Sequence, residues 1–131
     1  MAWKQCLSDT QSPIIEGRTM KDAGYFYVVK FWVAPEGKTA LMKWLADGHV
    51  AEVVSQPGFL WCRQLDLRQK DDKGWEAHSM IYGIESRAAF ERYSADTALA
   101  AKFVEQRKSF VQFMRIERWD APVVAAYDRP A

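Results

Sequence analysis

His49-Val50-Ala51-Glu52-Val53-Val54-Ser55-Gln56-Pro57-Gly58-Phe59 is the stretch that decides how this chain folds. It reads as a histidine-bearing helix end that passes through a Pro-Gly turn into a strand, because proline ends a helix and glycine tolerates the reversal. Upstream, Pro35-Glu36 opens the helix: proline suits a first turn, and Glu36 sits at the positive end of the dipole. Leu41, Trp44 and Leu45 then give an i, i+3, i+4 apolar stripe, and Gly48 breaks or kinks the helix before His49. Downstream, residues 59–67 form a second strand.

The remaining elements follow outward from this corner. Tyr25–Val33 is β-branched and aromatic throughout, as a central strand with two covered faces requires. Asp71-Asp72-Lys73-Gly74 is a polar turn, and residues 75–84 alternate as a third strand in a hairpin with the second. Ser86 is an N-cap candidate for a second helix reaching about Lys108, with a bend expected over 95–101. Residues 110–119 read as a fourth strand, and Pro122 and Pro130 mark a tail.

Strand, helix, strand, strand, helix, strand divides into two β-α-β halves, the ferredoxin-like α+β plan. Right-handed crossovers place both helices on one face of a four-stranded antiparallel sheet. The expected organisation is an N-terminal arm over 1–24, the domain over 25–120 and a C-terminal tail over 121–131. In the arm, Trp3, Cys6, Leu7, Ile14 and Ile15 are available to dock on the domain or on a second subunit, although a loose terminus is the commoner outcome. Alternation sends Tyr27, Val29 and Phe31 beneath the helices and leaves Phe26, Val28, Lys30 and Trp32 on a bare face. A second copy pairing through that open sheet face is the economical way to cover it, so a homodimer is expected.

Composition limits the function. The 131 residues suit one domain, and 18 basic against 17 acidic residues leave no excess to hold a phosphate backbone, so nucleic acid is not an expected partner. Cys6 and Cys62 form no CxxC pair and have no histidine at metal-ligand spacing, so no metal is expected. No apolar run approaches the roughly 20 residues that span a bilayer, and the N-terminus lacks a signal-peptide core. A cytoplasmic protein without membrane attachment is the expectation.

Within 25–119, the chain resembles the dimeric α/β-barrel superfamily, in which two ferredoxin-like subunits close a joint barrel. The Trp44-Leu45…His49…Glu52-Val53…Pro57-Gly58-Phe59 run resembles the helix-to-strand segment of its EthD-like and antibiotic-biosynthesis-monooxygenase-like branches. The Tyr82-Gly83-Ile84-Glu85-Ser86…Phe90…Tyr93 run resembles their passage into the second helix. The superfamily includes cofactor-free monooxygenases, polyketide cyclases, lactone isomerases and haem-degrading enzymes, so the likeness implies small-molecule chemistry without choosing a reaction. Two departures matter: His49-Val50-Ala51 replaces the His-x-Pro step of EthD-like proteins, and the second helix has no histidine to ligate haem. No cofactor is expected.

His49 is the leading catalytic candidate, since the topology brings the end of the first helix near Tyr25 or Tyr27, Trp61 and Tyr82. A near-neutral imidazole walled by aromatics, with Glu52 as orienting carboxylate, transfers protons to or from a phenolic, enolic or lactone substrate. The alternative is that His49 caps a helix broken at Gly48. His78 joins the same pocket if its face of strand three looks toward the helices, and is otherwise a polar sheet residue beside Glu76. Tyr27, Trp61, Arg63 and Tyr82 are the candidate substrate-binding residues, with Tyr82 or Arg63 as oxyanion donor. Trp32, Trp44, Trp61 and Trp119 either line a pocket for a flat ligand or pack in core and interface. Lys30, like Arg63, is a candidate for a substrate carboxylate or enolate, or for an ion pair. Cys62 reads as a small buried hydrophobe. The expected function is a cofactor-independent isomerase, cyclase, lyase or monooxygenase, with a non-catalytic ligand-binding or stress-response assembly domain as the alternative.

Overall fold

The computed structural model describes residues 22–131, so most of the expected N-terminal arm lies outside the described residues. The elements are β1 (Tyr25–Val33), α1 (Pro35–Trp44), a π-type turn (Leu45–His49), α2 (Val50–Val54), β2 (Phe59–Lys70) and β3 (Glu76–Ile84). They continue with α3 (Arg87–Ala95), α4 (Thr97–Arg107), a 3-10 turn (Val111–Phe113) and β4 (Met114–Pro122). The sheet is antiparallel with order β2-β3-β1-β4, the ferredoxin-like arrangement.

β1 and β3 occupy the centre because they carry the densest apolar sequence. Tyr25, Tyr27, Phe31 and Val33 are buried beneath the helices, whereas Phe26, Val28, Lys30 and Trp32 are only half-buried on the other face. The core continues through Leu41, Leu45, Val53, Phe59, Met80, Tyr82, Ile84, Ala89 and Phe103. Leu41, Ile84, Val33 and Val53 are the most completely buried large side chains, and each contributes roughly 1.5–3 kcal/mol through removal from water.

The corner at residues 49–59 forms as its sequence dictates. Gly58 adopts φ +84°, and a Cβ there would come within 2.4 Å of the Ala89 Cβ, so glycine permits both the turn and the approach of α3. Ser86 Oγ accepts a hydrogen bond from Ala89 N and caps α3.

The second helix breaks at Asp96, inside the bend expected over 95–101, and the Asp96 carboxylate caps α4 by accepting from Leu99 N. Strand boundaries shift from the sequence expectation. The fourth strand starts at Met114 rather than Phe110, because Phe113 O accepts from Ala34 N and the Phe113 ring lies over Gly37 of α1. Finally, β2 continues to Lys70, past a register shift between Asp66 and Lys70. No helix among the described residues is long and apolar enough to cross a membrane.

Candidate functional site

The register lays two rows of side chains across the helix-facing side of the sheet. Cys62, Tyr82, Tyr27 and Asp120 are successive partners in one row, and Gln64, Met80, Val29 and Arg118 in the next. Above these rows the α1–α2 kink and the α3–α4 pair leave a cleft of two chambers. The inner chamber, about 60 Å³, lies over Tyr27, Met80 and Tyr82 and is walled by Trp44, His49 and Val53. The outer chamber, about 350 Å³, runs between α3, α4 and β4 past Phe90, Leu99 and Asp120. Tyr27, Tyr93, Phe103, Arg107 and Arg118 line both chambers, which therefore form one cleft.

Gly48, with φ 155° and ψ −23°, kinks the helix immediately before His49. The imidazole stacks on Trp44 at 4.0 Å between ring centroids and meets the Phe103 ring edge-on at 4.6 Å. Its Nδ1 is buried and has no hydrogen-bond partner among the described residues. Burial, then the charge of Arg107, lowers the His49 pKa from 6.5 to about 4, with Glu52 opposing weakly. His49 is thus a neutral imidazole at neutral pH, not the near-neutral titrating group expected from sequence, because the aromatic walls that make the pocket also desolvate the ring.

The phenols are held protonated. Burial raises the pKa of Tyr27 and Tyr82 and pushes Tyr93 up to about 12. They remain neutral donors across the physiological range, as an oxyanion-binding group must. Arg107, at the end of α4, and Arg118, on the helix-facing side of β4, bring two positive charges to the same cleft. Neither forms an ion pair with a carboxylate among the described residues.

The expected site residues divide between the two faces of the sheet. His49, Tyr27 and Tyr82 share the inner chamber. Glu52 does not hydrogen-bond to His49; its carboxylate pairs with Lys102 Nζ of α4. His78 does face the helices, stacked on Phe31, yet it lies outside the cleft lining. Its Nε2 is 3.2 Å from Glu76 Oε1, and Glu76 in turn pairs with Lys38 at 2.9 Å.

Trp61 and Arg63 lie on the opposite, open face, because Cys62 between them points toward Tyr82. The Trp61 ring covers Gly83, where a Cβ would meet it at 2.3 Å, and contacts Phe26 edge-on, while Arg63 lies over Trp61. Lys30 and Arg115 flank Trp32 on that face, so neither Lys30 nor Arg63 serves the cleft. Of the four tryptophans, Trp44 lines the inner chamber and Trp119 the outer. Burial raises the Cys62 thiol to about 11, in keeping with a packing role. No group of three or more His, Cys, Asp or Glu side chains among the described residues is placed to hold a metal.

Sequence reasoning did not single out Arg107 and Arg118. One signal was available for each. In β4, Met114, Ile116 and Arg118 alternate on one face, so Arg118 is a charge on the apolar register. Arg107 follows Phe103 by one helical turn and shares its inward stripe.

The architecture is shared with solved structures at low sequence identity. A dimeric ferredoxin-like protein from an uncultured marine organism superposes with a TM-score of 0.61 at 15% identity, over 80% of this chain and 99% of that one. SnoaB, a cofactor-independent oxygenase from Streptomyces nogalater, gives 0.56 at 18% identity, over 82% of this chain and 100% of that one. An ethyl tert-butyl ether D (EthD) family protein from Bacillus halodurans gives 0.53 at 10% identity, over 72% of this chain and 96% of that one. No curated protein matches the sequence. The family model described as "Domain of unknown function (DUF4286)" matches residues 24–115, and with most of its ferredoxin-like domain inside that match this chain belongs to the DUF4286 family.

Proposed function

We propose that the cleft is the active site of a cofactor-independent small-molecule enzyme in which His49 moves a proton on a mostly apolar, oxygen-bearing substrate. One observation carries this reading. Among the described residues, an imidazole whose Nδ1 has no hydrogen-bond partner shares a cavity with three protonated phenols and two guanidinium groups that no carboxylate pairs with. The imidazole accepts a proton from a substrate O–H or activated C–H, and the electron pair left behind becomes an oxyanion or enolate. Tyr82, Tyr27 and the arginines are the donors for that charge. Return of the proton to another atom gives isomerisation or cyclisation, departure with a leaving group gives elimination, and capture of the carbanion by dioxygen gives oxygenation.

A base with pKa about 4 is weak toward a neutral substrate, so the oxyanion must be stabilised as the proton moves. An anion beside the ring also raises the proton affinity of the imidazole, which couples the two events. The likeness of fold to a cofactor-independent oxygenase supports this reading. Likeness to a dimeric ferredoxin-like protein supports pairing of two copies across the open face into an α/β barrel. The working domain is then 25–120, in a cytoplasmic protein.

The low proton affinity of His49 favours a second reading, a domain that binds a small molecule or serves stress-response assembly without turning anything over. A panel of phenolic, enolic and lactone compounds, assayed for consumption by the native chain and by His49→Gln, separates the two. Proton-transfer catalysis requires a drop in kcat/KM of at least about 100-fold in the variant. Equal turnover by the variant overturns it, and saturable binding without turnover supports the second reading.

A further inference from the structure

We propose that Arg107 and Arg118 form an anion subsite where the two chambers meet, and that the ligand of this cleft is an organic acid with a flat apolar body and one carboxylate. The inference rests on reading the cleft as the ligand pocket and does not depend on His49 moving a proton. Both arginines line both chambers. The ion pairs among the described residues engage Lys38, Lys43, Arg87, Lys102, Lys108 and Arg115, and neither cleft arginine.

Arg107 is half-buried and Arg118 exposed, and two like charges brought to one cleft repel unless a counter-charge joins them. Desolvation, then the charge of Arg118, depresses the pKa of Arg107. Among the described residues no carboxylate closes an ion pair with either arginine. Tyr27 and Tyr93 stay neutral, and Asp120, which lines the outer chamber, accepts the hydroxyl of Tyr25 and lies beyond salt-bridge distance of both guanidinium groups. A ligand carboxylate supplies it, and the planar guanidinium fork matches carboxylate geometry.

The chambers set the remainder of the ligand. The outer volume of about 350 Å³ is at the small end of the roughly 300–1,000 Å³ range of ligand pockets, and its Phe90, Leu99 and Phe103 walls suit a ring system. The inner volume of about 60 Å³ is less than half of the roughly 150 Å³ that accommodates benzene. It admits an oxygen-bearing substituent toward His49 and excludes the ring. An aromatic or fused-ring acid fits this division, whereas free inorganic phosphate leaves the apolar walls unused.

Calorimetric titration of the full chain with 2-naphthoate and with its neutral isostere 2-naphthamide tests the subsite. The acid is expected to bind at least about tenfold more tightly than the amide. Arg107→Gln and Arg118→Gln are each expected to weaken the acid at least about tenfold and to leave the amide within about twofold. Because Arg107 has no ion-pair partner among the described residues, Arg107→Gln is expected to leave the ligand-free Tm unchanged or higher, a result that a structural arginine does not give. Arg107→Lys keeps the charge without the fork and is expected to retain an intermediate preference for the acid.

Equal affinity for acid and amide overturns the subsite, as does failure of the acid to bind saturably. So does an acid preference that survives the double Gln variant, or binding of inorganic phosphate as tight as that of 2-naphthoate. Acid preference intact while His49→Gln loses no turnover removes only the proton-transfer reading. Turnover of neutral phenols without acid preference removes only the subsite.

Discussion

His49 stays neutral because the Trp44 and Phe103 rings that hold it also strip away its water. That burial is a stability statement. The unfolded imidazole takes its proton near pH 6.5 and the folded one only near pH 4, so within that window the unfolded chain binds more protons. The contribution of His49 is fully present above about pH 6.5 and is lost as pH falls toward about 4, by up to about 3 kcal/mol. Urea melts of the native chain and of His49→Phe across this window should show the extra slope in the native chain alone; parallel slopes would contradict it. His49 itself was legible in the sequence, from its place after Gly48 and before Pro57-Gly58. Its partners were less so. Glu52 was the obvious carboxylate by proximity along the chain, but it pairs with Lys102 fifty residues on, and local spacing carries no trace of that contact.

Gly58 governs how α2, β2 and α3 meet. With φ +84° and the Ala89 Cβ 2.4 Å from where a Cβ would stand, Gly58→Ala strains the backbone and overpacks the α3 contact together. A loss of about 1–3 kcal/mol in chemical denaturation is expected, and an unchanged midpoint would show that α3 yields freely. This element was readable because Pro-Gly after a helix and Ser before one each have a local mechanism. The start of β4 was not: the aromatic run around Phe110 and Phe113 looks like strand, but the Phe113–Gly37 contact and the bond from Ala34 N hold it in a 3-10 turn. Trp61 and Arg63 were misplaced for a related reason. Their strand was correctly identified, but which face each occupies depends on the register with β3, and a one-residue change of register exchanges the faces.

At the scale of the molecule, one sheet face is roofed by helices and encloses the cleft, while the other presents Phe26, Trp32 and Trp61. Pairing of two copies across that second face is expected to give twice the chain mass by light scattering. Phe26→Glu, which places a charge beside Trp61 on that face, is expected to give single chains with the cleft intact; an unchanged mass for the variant would rule the face out as the contact. The claim on which most depends is that the roofed cleft takes an acid beside His49. NMR titration of the His49 imidazole nitrogens, with and without saturating 2-naphthoate, tests it directly. The free protein should titrate at about pH 4, and the bound anion should raise that value toward or beyond the ordinary 6.5 of histidine. A His49 titration that does not move when the acid is bound would place the ligand elsewhere and contradict the assignment of the cleft.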